Sequence, residues 1–243
     1  MATYVISDIH GQYDMLMDLL YKISFSDKDT LYILGDIIDR GPHPIKTMRK
    51  LMEMPNVICL LGNHEYMALG CLEFLMNEIT EKTIADLDGK KLNNLVLWMR
   101  NGCSTTIKEF RELCREDQID IIEYIKDFLI YEEVSVAGKD YLLVHAGFGN
   151  YRPDKDLEEY SLNELVWDRT NYDIQYYQNK YIVTGHTPTQ IIKGNSKPGF
   201  IYRNKGNIAI DCGAFVPGGR LAALCLDSGE EFYSYTNKAA SGI

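Results

Sequence analysis

A chain of 243 residues, 46% hydrophobic and 25% charged, has the make-up of a globular protein with a sizeable core. Its net charge of -10 excludes a general affinity for nucleic acid or for anionic membranes. Six cysteines with no CxxC pair, mostly inside apolar runs, are expected to be reduced, and no leader or membrane-spanning segment is visible, so a cytoplasmic protein is expected.

The first 65 residues alternate between two periods. "TYVIS" at residue 3, "TLYIL" at 30 and "NVICLL" at 56 are short, β-rich and apolar, whereas "QYDMLMDLLYKI" at 12 and "PIKTMRKLMEM" at 44 carry helical spacing. Strands alternating with helices predict a layered α/β fold. From about 65 to 131 the pattern turns helical, through "EYMALGCLEFLMNEI", "NNLVLWMRN" and "QIDIIEYIKDFL", and is expected to form a helical cap inserted over the sheet edge. "EEVSVAGKDYLLVHAG" predicts a hairpin with Gly138 and Lys139 in its turn. Residues 149–180 are tyrosine-rich and polar and suggest a long loop with short helices. Strands return in "KYIVTG", "NIAIDCG", "LAALCLD" and "EEFYSY". The expectation is one domain over 1–243, a two-sheet sandwich flanked by helices, with the mainly helical insertion at about 65–131.

The residues just past each strand are chemically uniform. "TYVIS" runs into Asp8 and His10, "TLYIL" into Asp36, "NVICLL" into Asn63 and His64, "DYLLV" into His145 and "KYIVT" into His186. Four of the five histidines stand at these ends; His43 does not and is expected in an exposed turn. In layered α/β sheets ligands bind at the carboxyl ends of strands. Any one of these histidines alone would suit a core or capping role, but the set together predicts a site. Carboxylates, imidazoles and one amide oxygen without a thiolate suit Mn²⁺, Fe²⁺ or Zn²⁺. The donors are too many for one tetrahedral ion and enough for two, if a carboxylate bridges. Two ions about 3.5–4 Å apart are the usual machinery for hydrolysing phosphate esters.

"DIHG", "GDIIDRG", "GNHE", "HAG" and "GHT", in this order, resemble the signatures of the calcineurin-like metallophosphoesterases, and more narrowly the phosphoprotein phosphatase group with its bacterial and phage lambda-like branch. The resemblance implies a two-sheet sandwich and assigns roles. One ion would be held by Asp8, His10 and Asp36, and the other by Asp36, Asn63, His145 and His186, with Mn²⁺ the first choice and Fe or Zn the alternatives. A hydroxide bridging the ions would attack phosphorus. His64, oriented by Asp39, would protonate the leaving group, and Arg40 would bind phosphate oxygens in a fork that lysine cannot reproduce. Arg169 in "VWDRT" is either a second phosphate arginine or a solvated loop residue. Asp211, in "IAIDCG", is expected to support the site rather than enter it.

Two departures bear on the substrate. Leu61 stands before "GNHE" where the eukaryotic phosphatases carry arginine, and their carboxyl-terminal segment is replaced by "GAFVPGGRLAAL". These features and "WMRNG" at 98 resemble the bacterial and phage branch, which includes both protein phosphatases and diadenosine tetraphosphate hydrolases. Leu61 leaves one cation fewer near the phosphate, which counts against assuming a protein substrate; the first expectation is nevertheless a phosphatase of phosphoserine or phosphothreonine in proteins. The alternative is a dinucleoside polyphosphate hydrolase acting on a small nucleotide. A non-catalytic binding module is a third reading, against which the complete donor set argues.

Overall fold

In the computed structural model, which describes residues 1–77, 80 and 88–238, the opening alternation becomes β1 (Thr3–Ile6), α1 (Tyr13–Lys22), β2 (Thr30–Ile33), α2 (Pro44–Met52) and β3 (Val57–Cys59). Both β1–β2 and β2–β3 pair in parallel, each crossover being made by a helix. Among the described residues α3 (Asn63–Leu75), α4 (Gly89–Arg100), α5 (Ser104–Arg111) and α6 (Arg115–Lys126) follow. The helix expected to run to residue 79 ends at Leu75; Glu78 and Ile79, like 81–87 of the helical stretch, lie outside the described residues. Beyond α6, Leu129 bridges Leu60 and so covers the edge of the first sheet beside β3.

The second half supplies β4 (Tyr131–Val136), β5 (Lys139–Val144), α7 (Leu162–Val166), β6 (Lys180–Thr184), β7 (Tyr202–Asn204), β8 (Asn207–Ala209), β9 (Ala222–Cys225) and β10 (Glu231–Tyr233). One sheet has the order β10-β9-β1-β2-β3 and the other β4-β5-β6-β8-β7. Within the second sheet β5, β6 and β8 are parallel. The hairpin turn is Ala137-Gly138, not Gly138-Lys139: Lys139 already pairs with Val136, and a two-residue loop with φ of 50° and 73° matches the strand twist.

The period-2 alternation decides which layer each side chain joins. Val5, Tyr32, Leu34 and Leu224 face the second sheet and pack on Tyr141, Leu143, Val183 and Ile208. Their neighbours Tyr4, Ile6, Leu31 and Ile33 face the other way, into a layer built by α1, α2 and the helices after β3. On the far face of the second sheet, Leu142, Val144 and Ile182 are covered by Phe148 and by Tyr160, Leu165 and Tyr176 of the tyrosine-rich segment. The result is two mixed sheets packed face to face between helical and loop layers. Every strand that carries a candidate donor ends at the same margin of this sandwich. No helix among the described residues is long and apolar enough to cross a membrane, and the six cysteines are free, with only Cys114 exposed.

Candidate active site

The candidate residues sit on short backbone segments just past strand ends, and those segments are wound tightly. Ten non-glycine residues among those described have positive φ, and Asp8, His10, Asp36, Asp39, Arg40 and His186 are six of them. Left-handed backbone is costly for residues with a Cβ, and it collects at sites where side chains must be aimed. The motif glycines serve the same convergence. A Cβ on Gly62 would collide with the Asp36 carboxylate, and one on Gly185 with Ser7 and Asp8.

Asp36 is the centre. Its Oδ2 lies 3.7 Å from His10 Nε2 and 3.9 Å from His64 Nε2, and its Oδ1 lies 3.4 Å from His145 Nε2. Asn63 Oδ1 is 3.1 Å from His145 Nε2 and 2.9 Å from His186 Nδ1. Two sets therefore bring donor atoms within 4.8 Å of one another and could each hold a metal ion: His10, Asp36 and His64, and Asp36, His145 and His186. Asp36 belongs to both. Asp8 belongs to neither; its carboxylate accepts the Ser7 hydroxyl and the backbone N–H of His186 at 2.9 and 3.1 Å. His10 and His145 each direct Nδ1 at a backbone carbonyl, Ile38 at 3.0 Å and Leu34 at 2.5 Å, which leaves Nε2 lone pairs facing the centre.

The donor chemistry fits divalent cations. Burial holds His10 and His64 well below the ordinary imidazole range and His186 down to about 2, so these rings are neutral and offer lone pairs. Burial, then the nearby Asp8 and Glu65, pushes Asp36 well above the usual carboxylate range, and burial raises Asp8 also. A cation placed between such groups would offset the desolvation that raises them.

His64 and Asn63 occupy the first turn of α3. His64 Nδ1 lies 2.6 Å from Asp39 Oδ2, and its Nε2 is buried with no hydrogen-bond partner among the described residues. Asp39 is fully buried and pushed up to about 7 by that burial, against hydrogen bonds from Thr106 and Trp98. Glu65, the last letter of "GNHE", accepts four N–H bonds: Asp36 and Gly62 at Oε2, Ile37 and Ile38 at Oε1. It thereby clamps the "GDIID" turn to the start of α3. The sequence assigns no task to Glu65, Trp98 or Thr106, although Glu65 closes "GNHE" and Trp98 opens "WMRNG".

Arg40 and Arg169 line one cleft of about 340 Å³ together with Asn63, Trp167, Ile191 and Phe215. Arg40 Nη1 donates to His10 Nε2 at 2.9 Å, and its guanidinium carbon stands 4.2 Å from the centroid of the Phe215 ring. Arg169 is exposed and donates to the His186 carbonyl at 3.2 Å. Asp211 is buried and accepts the Gly213 N–H at 2.9 Å, closing the turn after β8. His43, half-buried, stands apart at the start of α2, 3.3 Å from Glu109.

A family profile, calcineurin-like phosphoesterase, matches residues 1–190. Across 90% of this chain and 88% of the relative, 27% of residues are identical to those of the asymmetrical bis(5'-nucleosyl)-tetraphosphatase of Halalkalibacterium halodurans. The symmetrical bis(5'-nucleosyl)-tetraphosphatase of Escherichia coli K12 is 34% identical over 46% of this chain, a stretch spanning only 41% of that enzyme. A crystal structure whose assignment as a diadenosine tetraphosphatase is provisional superposes with a TM-score of 0.62 at 19% identity, over 97% of this chain and 94% of that one. That likeness is one of fold.

Proposed function

The chain belongs to the calcineurin-like phosphoesterases, a family of metal-dependent hydrolases, and on that premise we propose that its substrate is a dinucleoside polyphosphate. The motifs are common to protein phosphatases and dinucleotide hydrolases alike, so they do not by themselves support the expectation of phosphoserine or phosphothreonine in proteins. The long similarity to a tetraphosphatase, over most of both chains, weighs toward the small nucleotide.

The observation that carries the chemistry is the placement of Asp36 between two sets of neutral imidazoles at the floor of a cleft holding two arginines. Asp8, His10, Asp36, Asn63, His145 and His186 would hold two divalent ions, which when bound supply an activated water and neutralise phosphate charge. Arg40 binds oxygens of the phosphoryl group under attack, its plane steadied by Phe215. Arg169, on another wall of the same cleft, reaches a further phosphate of the chain. His64 presents Nε2 toward the centre; with a phosphate dianion in the cleft Nε2 takes up a proton and passes it to the departing oxygen, while Asp39 at Nδ1 offsets the ring's charge and keeps it oriented. Trp167 and Ile191 offer apolar surface beside the phosphate site, which suits a nucleoside better than a flexible peptide.

A substrate panel with Mn²⁺ tests this reading: diadenosine tetraphosphate beside phosphoserine, phosphothreonine and phosphotyrosine peptides. The dinucleotide should be turned over with kcat/KM at least about tenfold above any peptide. Rapid cleavage of peptides with the dinucleotide left intact would return the assignment to the protein phosphatases.

A further inference from the structure

Two buried side chains from the helical stretch after β3 converge on one carboxylate of the candidate site. Trp98 is the single buried residue of α4, with no exposed surface, while Leu97 and Met99 beside it are exposed. A buried indole needs an acceptor for its N–H. Trp98 Nε1 donates to Asp39 Oδ2 at 2.7 Å, the same oxygen that lies 2.6 Å from His64 Nδ1. From α5, the Thr106 hydroxyl donates to Asp39 Oδ1 at 2.5 Å and accepts the Asp39 N–H at 3.0 Å. Thr106, Asp39 and His64 are all fully buried.

From this arrangement we infer that Trp98 and Thr106 are positioning residues: acting through Asp39, they hold the His64 imidazole with Nε2 directed at the leaving group. The inference rests on the proposed role of His64 as proton donor. Its physical basis is that both carboxylate oxygens are engaged from outside the dyad. Asp39 cannot rotate about its terminal torsion without breaking a bond to Trp98 or to Thr106. A carboxylate held in one plane accepts from Nδ1–H in one direction, which fixes the tilt of the ring and leaves Nε2 as the nitrogen that takes up and releases the transferred proton. Because Asp39 itself has left-handed backbone, at φ 71°, its main chain has little freedom to take up slack. A tryptophan that only filled the core would have no reason to share its acceptor oxygen with a histidine.

Three measurements on Trp98→Phe, Thr106→Val and Thr106→Ser test the inference. Proton donation matters for a basic leaving group and little for a good one. Trp98→Phe and Thr106→Val should each lower kcat on phenyl phosphate by about tenfold, and on p-nitrophenyl phosphate by less than about threefold, with KM within about twofold. In a His64→Asn background the same changes should add less than about twofold, because the two act through one group. The His64 Nδ1 proton, read by NMR in the Zn²⁺-loaded protein without turnover and assigned by its absence from His64→Asn, should move upfield in both variants. Thr106→Ser, which keeps the hydroxyl, should restore most of what Thr106→Val loses. If Trp98→Phe fails to fold by circular dichroism, the threonine pair decides alone. Equal losses on both aryl phosphates, additive with His64→Asn and with an unmoved resonance, would reduce Trp98 and Thr106 to core packing. If His64→Asn itself loses equally on both substrates, the proton-donor reading falls first, and this inference with it.

Discussion

Asp39 and Arg40 are sequence neighbours with opposite surroundings. Left-handed φ values of 71° and 65° at the pair turn the carboxylate into the protein and the guanidinium toward the cleft. Asp39 is fully buried whereas Arg40 is exposed at the cleft wall. Arg40→Lys should cost about 100-fold in kcat/KM, since an ammonium can neither pair two oxygens nor stack flat on Phe215. Steady-state kinetics showing near wild-type efficiency would remove Arg40 from the phosphate. Asp36→Asn should reduce the metal content read by elemental analysis and nearly abolish turnover, because the amide cannot bridge two cations as a carboxylate does. Two retained ions in an active Asp36→Asn protein would refute the bridge. At this scale the sequence was most legible, since strand ends carry their donors adjacent to the apolar runs. Trp98 and Thr106 were not legible, because nothing local links a helical tryptophan to an aspartate 59 residues earlier.

Among the elements, the regular segments could be read and the devices that join them could not. The three strand–donor segments of the first sheet, two of them through a glycine, follow the sequence pattern closely, but α5 is not marked out within the expected helical block and β7 is not read as a strand. "STTIKEFR" opens on β-branched threonines with weak helix propensity, and "YRN" is too short and polar to signal a strand. Glu65 shows how an element end can organise a loop: from the first turn of α3 it binds four N–H groups of the two motif turns. In Glu65→Gln an amide NH₂ would replace one acceptor and meet donors it cannot satisfy. The expected cost is about 1–3 kcal/mol of stability, read by urea denaturation, with lowered metal affinity because Asp36 loses its anchor. Unchanged stability and metal affinity would mean the clamp is redundant. The β4–β5 turn offers a gain in stability instead. Ala137 holds φ 50°, which a residue with a Cβ resists and asparagine tolerates better. Ala137→Asn should therefore stabilise the protein by about 0.5–1 kcal/mol, with activity unchanged; a lower denaturation midpoint would argue against strain at that position.

Over the whole molecule, β-rich halves on either side of a helical stretch suggest two packed sheets, but not that β9 would return to flank β1 with β10 beyond it at the edge. Pairing across that distance is set by which edge is open once the parallel strands have formed, and no local pattern encodes it. The same architecture makes the candidate site a seam. Asp8, Asp36 and Asn63 follow strands of the first sheet, whereas His145 and His186 follow strands of the second. Hydrogen bonds already cross there, from the His186 N–H to Asp8 and from His145 Nδ1 to the Leu34 carbonyl. Cations shared by these residues would tie the two sheets together and would relieve the burial of Asp8 and Asp36, which is otherwise an opposing cost. Metal should therefore stabilise the entire fold and not only the loops that hold it. A ligand at about 100 times its Kd contributes about 2.7 kcal/mol to the folded state. For a chain of this size each kcal/mol shifts Tm by about 2–4 °C. Calorimetry in Mn²⁺ should then show a single transition about 5–10 °C above that in chelator. In Asp36→Asn, which lacks the group common to both donor sets, the two transitions should fall within about 2 °C of each other. Identical melting of the unaltered protein with and without metal would mean that the strand ends, though convergent, do not bind the cations their chemistry implies.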